Sequence, residues 1–218
     1  SYDLAIAMSI LIATKKVISK QKLDETIFLG ELALNGDLRP VNGVLSIAMK
    51  AKNKNITTLF VPAVNAKEAK LVKELKIIPI DSLADLINHL ENKKQINETE
   101  AVEFDFANTK IMFDMEHIRG QEHVKRAMEI AAAGAHNMLM SGPPGSGKTL
   151  IARTMPSILP NLTLDEALEI TKLYSVAGLL SAGTSLVTNR PFSSPHHTAS
   201  VVALVGGGAW PRPGEISL

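Results

Sequence analysis

Cysteine is absent from the 218-residue sequence, which excludes disulfides, thiolate metal sites and a cysteine nucleophile. That absence suits a cytoplasmic protein. Aromatic residues make up only 4%, so the cores must be built from Ile, Leu, Val, Ala and Met. The formal net charge is +1, which gives no whole-chain attraction to nucleic acid or to a membrane surface. No apolar run reaches the ~18 residues that a membrane span requires, the longest lying near Ala5 to Ala13. Asp3 stands where a secretory leader would be basic. The sequence opens on Ser1 with helix-like residues at once, and stops at Leu218 without a turn or polar tail. We therefore expect an internal piece of a longer protein, lacking the extreme N-terminus and part of its last module.

What is present falls into two blocks. Residues 91–103, ENKKQINETEAVE, have little apolar content and no periodicity, and read either as a linker or as a solvated helix end. The expected organisation is a first domain over 1–92, a linker over 93–110 and a second domain over 111–218. In the first block, helical spacing predicts helices over 4–18, 43–54, 63–75 and 82–90, the last capped at Asp81 or Ser82. Strands are expected over 26–34, 58–62 and 77–80, with a turn at Asn35-Gly36-Asp37. Strands alternating with helices indicate an α/β domain.

In the second block, residues 142–149 read GPPGSGKT and fit the phosphate-loop pattern G-x-x-x-x-G-K-[ST] at every fixed position. Gly142, Gly145 and Gly147 permit backbone angles that turn successive N–H groups inward, with Pro143, Pro144 and Ser146 completing the loop. Lys148 is placed to reach the β- and γ-phosphates, and Thr149 to offer its hydroxyl to Mg²⁺ through the nucleotide. The apolar run within 136–141 suits a buried strand, and 150–155 a helix halted at Pro156. Strand, loop and helix N-terminus is the order that phosphate binding requires. Helices are also expected over 122–133 and 164–173. The implied ligands are a nucleoside triphosphate and Mg²⁺.

The block from Asp114 to Gln121, DMEHIRGQ, resembles the segment that lines the adenine pocket in AAA+ ATPases, which nominates His117 and Ile118. The runs RPFSSPHHT (190–198), GGG (206–208) and PRPGEISL (211–218) closely resemble the magnesium-chelatase-like ATPases of the ComM/YifB group. That resemblance covers nearly the whole chain. It implies a P-loop AAA+ α/β domain, present in part, in a homo-oligomeric ring ATPase that drives DNA. The glycine-rich region would then be an insertion facing the pore of the ring. Arg190 and Arg212 would contact a nucleic-acid backbone, or else be surface arginines holding the loop.

The first block is similar to the proteolytic domain of Lon proteases, a ribosomal-protein-S5 domain 2-like α/β fold, through GELALNG (30–36), PVNG (40–43) and VPAVN (61–65). That mechanism needs a serine nucleophile and a lysine base. The matched positions hold Asp3 and Leu45, with Ser9, Ser46 and Lys50 nearby but out of place, so an assembly role is expected and protease activity is not. His196-His197 has no Asp, Glu or Cys at ligand spacing, which favours hydrogen bonding over metal binding.

The expected function is the ATP-binding part of a ComM-like ring ATPase, a DNA motor for helicase work or branch migration in recombination or natural transformation. The alternatives are an ATPase subunit of magnesium chelatase and a nucleotide-binding scaffold without activity. The acidic strand that holds Mg²⁺ in the family follows a segment like 214–218, so these residues are expected to bind ATP without hydrolysing it usefully.

Overall fold

The computed structural model describes residues 2–102, 112–181, 183–208 and 211–218, leaving 103–111, the later part of the expected linker, outside the described residues. Two compact units are formed, one from Ser1–Glu103 with Leu168–Leu186, the other from Phe104–Ala167 with Val187–Leu218.

The first unit is a parallel sheet covered by helices. Helix α1 (Asp3–Ala13) precedes strand β1 (Thr26–Phe28), the hairpin strands β2 (Glu31–Leu32) and β3 (Leu38–Arg39), and helix α2 (Val44–Lys52). Strand β4 (Thr58–Pro62), helix α3 (Ala66–Ala69), strand β5 (Lys76–Ile80) and helix α4 (Leu83–Leu90) follow. The sheet order is β1-β4-β5, all parallel, with Ile27 opposite Leu59 and Leu59 opposite Ile77. Side chains alternate across a strand, and the two cores follow from that period. Leu59, Val61 and Ile77 meet Leu45 and Ala48 of α2 and Ala69 of α3 on one face. Phe60, Ile78 and Ile80 meet Leu4 and Met8 of α1 and Leu86 and Leu90 of α4 on the other. Each large apolar side chain so buried is worth about 1.5–3 kcal/mol. Ser82 caps α4, its hydroxyl accepting from Asp85 N at 3.1 Å.

Three expected elements are shorter. The strand over 26–34 is broken at Leu29-Gly30. Leu29 N still donates to Phe60 O at 2.8 Å, but a Cβ on Gly30 would lie 3.0 Å from the Leu38 side chain. The chain then leaves the parallel sheet to pair β2 with β3. The helix over 4–18 stops after Ala13, where Lys15 takes a left-handed φ of 55° and Lys16 N closes onto Leu11 O at 3.0 Å. The helix over 63–75 is reduced to a single 3₁₀ turn (Ala63–Asn65) and α3. Asn65 turns inward to bond both the N–H and the carbonyl of Val41 at 3.0 Å, and the Lys70 ammonium draws the Leu75 carbonyl out at 3.1 Å.

The start of the polar stretch is neither helical nor detached. Ile96 N donates to His89 Nδ1 at 2.9 Å, Thr99 N donates to Ile77 O at 2.8 Å, and Ile96 packs on the second core.

The second unit contains helices α5 (Glu122–Gly134), α6 (Lys148–Arg153) and α7 (Met155–Ile158), and the first residues of α8 (Leu164–Ala177). Helix α9 (Val201–Val205) and an antiparallel pair, β6 (Gly206–Gly207) with β7 (Arg212–Pro213), complete it. Its core joins Ile118, Met128 and Ile151. The buried strand expected over 136–141 does not form. A parallel strand needs neighbours to take its backbone hydrogen bonds, none pairs with it among the described residues, and Leu139 is 95% exposed. Pro156 does not halt a helix either. Thr154 ends α6, its hydroxyl returning to Ile151 O at 2.7 Å, and Pro156 sits in the first turn of α7, where its missing N–H costs nothing.

Helix α8 runs to Ala177, four residues past its expected end, and from Leu168 onward it belongs to the first unit. Compositional blocks and compact units thus divide the chain differently. Leu168 packs on the first core, and Thr171 and Ser175 are buried. The Ser175 hydroxyl accepts from Gly43 N at 2.9 Å and donates to Glu68 Oε1.

Candidate functional site

The phosphate-loop residues Gly142, Pro143, Pro144, Gly145, Ser146, Gly147, Lys148 and Thr149 form one exposed loop leading into α6. Gly145 and Gly147 take φ of 78° and 82°, the left-handed region that side chains disfavour, which is the local reason for glycine at both. The Lys148 ammonium donates to Gly142 O and Pro143 O at 2.8 Å and to Ser146 Oγ at 3.2 Å. All three of its protons are thereby used, and no carboxylate lies within 4.0 Å of it among the described residues.

Among the described residues the backbone N–H groups of Gly145, Gly147, Lys148 and Thr149 find no acceptor. The first N–H groups of a helix have no partner within it. Here they sit beside an ammonium held only by neutral oxygens, and the set fits a polyanion. Thr149 is exposed at the second position of α6 and is of the right type to meet a hydrated Mg²⁺.

Beside the loop lies a cavity of about 380 Å³, lined by Gln121, His123, Val124 and Ala127 on one side and by Met138–Pro143, Ser146, Lys148 and Ile151 on the other. No carboxylate is among its described lining residues. Sequence reading put Gln121 at the end of the adenine-pocket segment but missed His123 and Ala127. Their signal was the spacing of His123 and Ala127 by four on α5, which puts both on one face of that helix.

The two residues nominated for an adenine pocket are separated by the structure. Ile118 is buried against Ile151 of α6 and so supports the loop helix from behind. His117 is exposed and lies 3.4 Å from Glu116, and neither residue lines the cavity. The segment itself is fixed, since Met115 N donates to Ser157 Oγ at 3.0 Å and Glu116 N to Asp114 Oδ1 at 3.0 Å.

Arg190 is engaged. Its Nε donates to Pro160 O at 2.7 Å and its NH2 to Glu166 Oε1 at 3.4 Å. Glu166 closes a capping box at the start of α8, taking Thr163 N at 2.8 Å and the Thr163 hydroxyl at 3.1 Å. The N–H and hydroxyl of Thr163, and then Arg190, hold the Glu166 carboxyl below its usual range. Arg212 is exposed on β7. Of the triple-glycine run, Gly206 and Gly207 form β6 and pair with β7. There a Cβ on Gly214 would fall 2.3 Å from Gly206 N and 2.4 Å from Leu204 O. His196 pairs with the Thr198 hydroxyl at 2.7 Å, and no metal-ligating cluster occurs among the described residues.

In the first unit Leu45, which the resemblance matched to a protease lysine, is fully buried, and its N–H donates to Glu68 Oε1 at 2.9 Å. Asp3 lies in the first turn of α1. The Ser9 hydroxyl returns to Ala5 O at 2.8 Å on its own helix.

A family model described as "Magnesium chelatase, subunit ChlI" matches residues 114–218, and one described as "Subunit ChlI of Mg-chelatase" matches residues 1–65. The chain is 40% identical over 232 residues to the competence protein ComM of Haemophilus influenzae, covering 100% of this chain and 43% of ComM. It is 41% identical over 217 residues to YifB of Escherichia coli, covering 100% of this chain and 42% of YifB. An uncharacterized protein of Mycobacterium tuberculosis, Rv2897c, is 42% identical over 219 residues, covering 99% of this chain and 42% of that protein. The chain thus spans less than half the length of these relatives. Among the described residues no helix is long and apolar enough to cross a membrane.

Proposed function

The chain belongs to the ComM/YifB group of magnesium-chelatase-like ATPases, and from that premise we propose that it is the ATP-binding part of a ring-forming AAA+ motor that acts on DNA. The observation that carries the nucleotide half is the loop at 142–149. Among the described residues, four backbone N–H groups of this loop and helix start have no acceptor and the Lys148 ammonium meets only neutral oxygens. An incoming triphosphate takes those N–H groups, draws Lys148 from the Gly142 and Pro143 carbonyls onto its β- and γ-oxygens, and is stabilised by charge-assisted bonds worth about 1.5–3 kcal/mol each. Thr149 offers its hydroxyl to Mg²⁺, which in such sites neutralises charge developing on the phosphates. The base lies in the adjoining cavity between α5 and residues 138–141.

Hydrolysis needs an acidic residue on Mg²⁺ and a group that orients water. No carboxylate is among the described residues that line the cavity, and binding of ATP, not its turnover, is what we propose of this chain. The first unit is a Lon-like domain that serves assembly, because Leu45 accepts no proton and Asp3 does not replace a serine nucleophile. The DNA half rests on identity to ComM along the whole chain, a protein named for competence, which supports work on DNA in transformation or recombination in the cytoplasm. Both matched family models carry the chelatase name, so the first unit does not itself separate a motor from a chelatase subunit.

The test titrates a fluorescent ATP analogue with Mg²⁺ into this chain and its Lys148→Ala variant. Binding that weakens at least about tenfold in the variant supports the reading. Equal binding by both, or none by either, overturns it. DNA-stimulated ATPase of the full-length protein tests the motor half, and a turnover indifferent to DNA sinks it.

A further inference from the structure

A second cavity in the second unit, of about 330 Å³, has two arginines, two phenylalanines and no carboxylate among its described lining residues. Arg153 ends α6, Phe113 precedes the 3₁₀ turn at Met115–His117, and Arg190 and Phe192 come from the chain beyond α8. Arg153 lies over the Phe113 ring, 5.4 Å from its centroid. No carboxylate is within 4.0 Å of Arg153 among the described residues. Its charge lies over an aromatic face, with no carboxylate beside it among the described residues. Arg190 spends its Nε on Pro160 and an NH2 proton on Glu166, and a guanidinium has five N–H donors, so donors remain.

From this arrangement we infer that the cavity binds a nucleotide unit, its phosphate on Arg153 and Arg190 and its base on the Phe192 ring. The chemistry of each part selects that class of ligand. Planar guanidinium groups match phosphate oxygens better than an ammonium does. Phe192 is 44% exposed, a large share for a phenylalanine on a cavity wall; no ring partner is recorded for it among the described residues, and an open aromatic face stacks any base. Asn161 and Thr188 supply polar groups beside it. The volume lies at the small end of ligand sites, which run from about 300 to 1,000 Å³, and suits one nucleotide. A carboxylate ligand would use the arginines but leave the ring idle.

This site is separate from the triphosphate loop and does not rest on it. Lys148 begins α6 and Arg153 ends it, about 7.5 Å apart along the axis at 1.5 Å per residue, so the same short helix carries a cation for each site at opposite ends. The nucleotide unit can come from a free mononucleotide or from a single strand, and the two sources are distinguished by size of ligand.

The test measures fluorescence anisotropy of a labelled thymidine dodecamer on this chain without ATP, with displacement by thymidine monophosphate and by inorganic phosphate. Arg153→Gln and Phe192→Ala should each weaken binding about tenfold or more, while Lys148→Ala leaves it unchanged. Phe192 is partly solvent-facing, so its truncation keeps the fold, and an unaltered circular dichroism spectrum checks both variants. Displacement by the monophosphate at low concentration identifies a free nucleotide as sufficient. Retention against the monophosphate identifies a strand. Absence of dodecamer binding, equal binding by all variants, loss in Lys148→Ala alone, or displacement by phosphate as effective as by the monophosphate overturns the proposal.

Discussion

Replacing Glu68 with alanine should unlatch the end of α8 from the first unit. The Glu68 carboxylate is buried and takes three donors: Leu45 N at 2.9 Å, Asn65 Nδ2 at 3.2 Å and the Ser175 hydroxyl. Leu45 is fully buried near the start of α2, so removing the carboxylate leaves its N–H without an acceptor, at about 1–3 kcal/mol. Loss of the charge-assisted bonds to Asn65 and Ser175 adds about 2 kcal/mol, for a total of about 3–5 kcal/mol. At about 4 °C per kcal/mol for a unit of this size, the melting temperature falls by roughly 12–20 °C. Glu68→Gln keeps one acceptor oxygen and should lose about half as much. Ser175→Ala should cost only about 1 kcal/mol, because Gly43 N retains the Ser175 carbonyl at 3.2 Å. Thermal melts followed by circular dichroism on the two singles and the double give the coupling, expected at about 0.5–3 kcal/mol for residues in one network. A Glu68→Ala melt within about 4 °C of the parent, or additive single and double variants, would refute the latch.

Burial, and after it Lys76, lowers the pKa of His89. The unfolded chain therefore binds more protons below about pH 6.5, and stability fully present above that pH is lost as pH falls towards the folded value. Urea midpoints should drop between pH 7.5 and pH 5, and His89→Gln should flatten the difference; an equal drop in both chains argues against it. Protonation also places a hydrogen on Nδ1, against the Ile96 N–H that it now accepts, so exchange of that amide should accelerate at low pH. Gly214→Ala puts a Cβ within 2.4 Å of both Gly206 N and Leu204 O, so the β6–β7 hairpin opens. Amide exchange at Glu215 and Ile216, which donate to Ala203 O and Leu204 O at 3.0 Å, should then lose protection, and unchanged protection contradicts the packing argument.

The first unit was legible because its strands carry two periods at once. Leu59-Phe60-Val61 and Ile77-Ile78 are apolar on both faces, as a sheet covered on both sides requires. What sequence did not show there was competition from side chains. Asn65 and Lys70 bond backbone carbonyls and so shorten a helix that spacing alone extends to residue 75. The return of residues 168–186 was hidden for a different reason, because Ser175 and Glu68 are 107 positions apart and nothing local marks either as a partner. In the second unit the loop's glycines were legible in part, since Gly145 and Gly147 take left-handed angles and Gly142 does not. The loop's flanking strand was not, because a strand is a property of a pair and 137–140 finds no neighbour among the described residues. Arg153 and Phe113 were missed entirely. They are 40 residues apart and only folding brings the guanidinium over the ring.

The central claim is that residues 142–149 hold a triphosphate through Lys148. Calorimetric titration of ATP with Mg²⁺ into this chain tests it most directly. One site per chain, abolished or weakened at least about tenfold by Lys148→Ala and accompanied by no significant phosphate release, is the predicted result. A Lys148→Ala variant that binds ATP as tightly as the parent would contradict it.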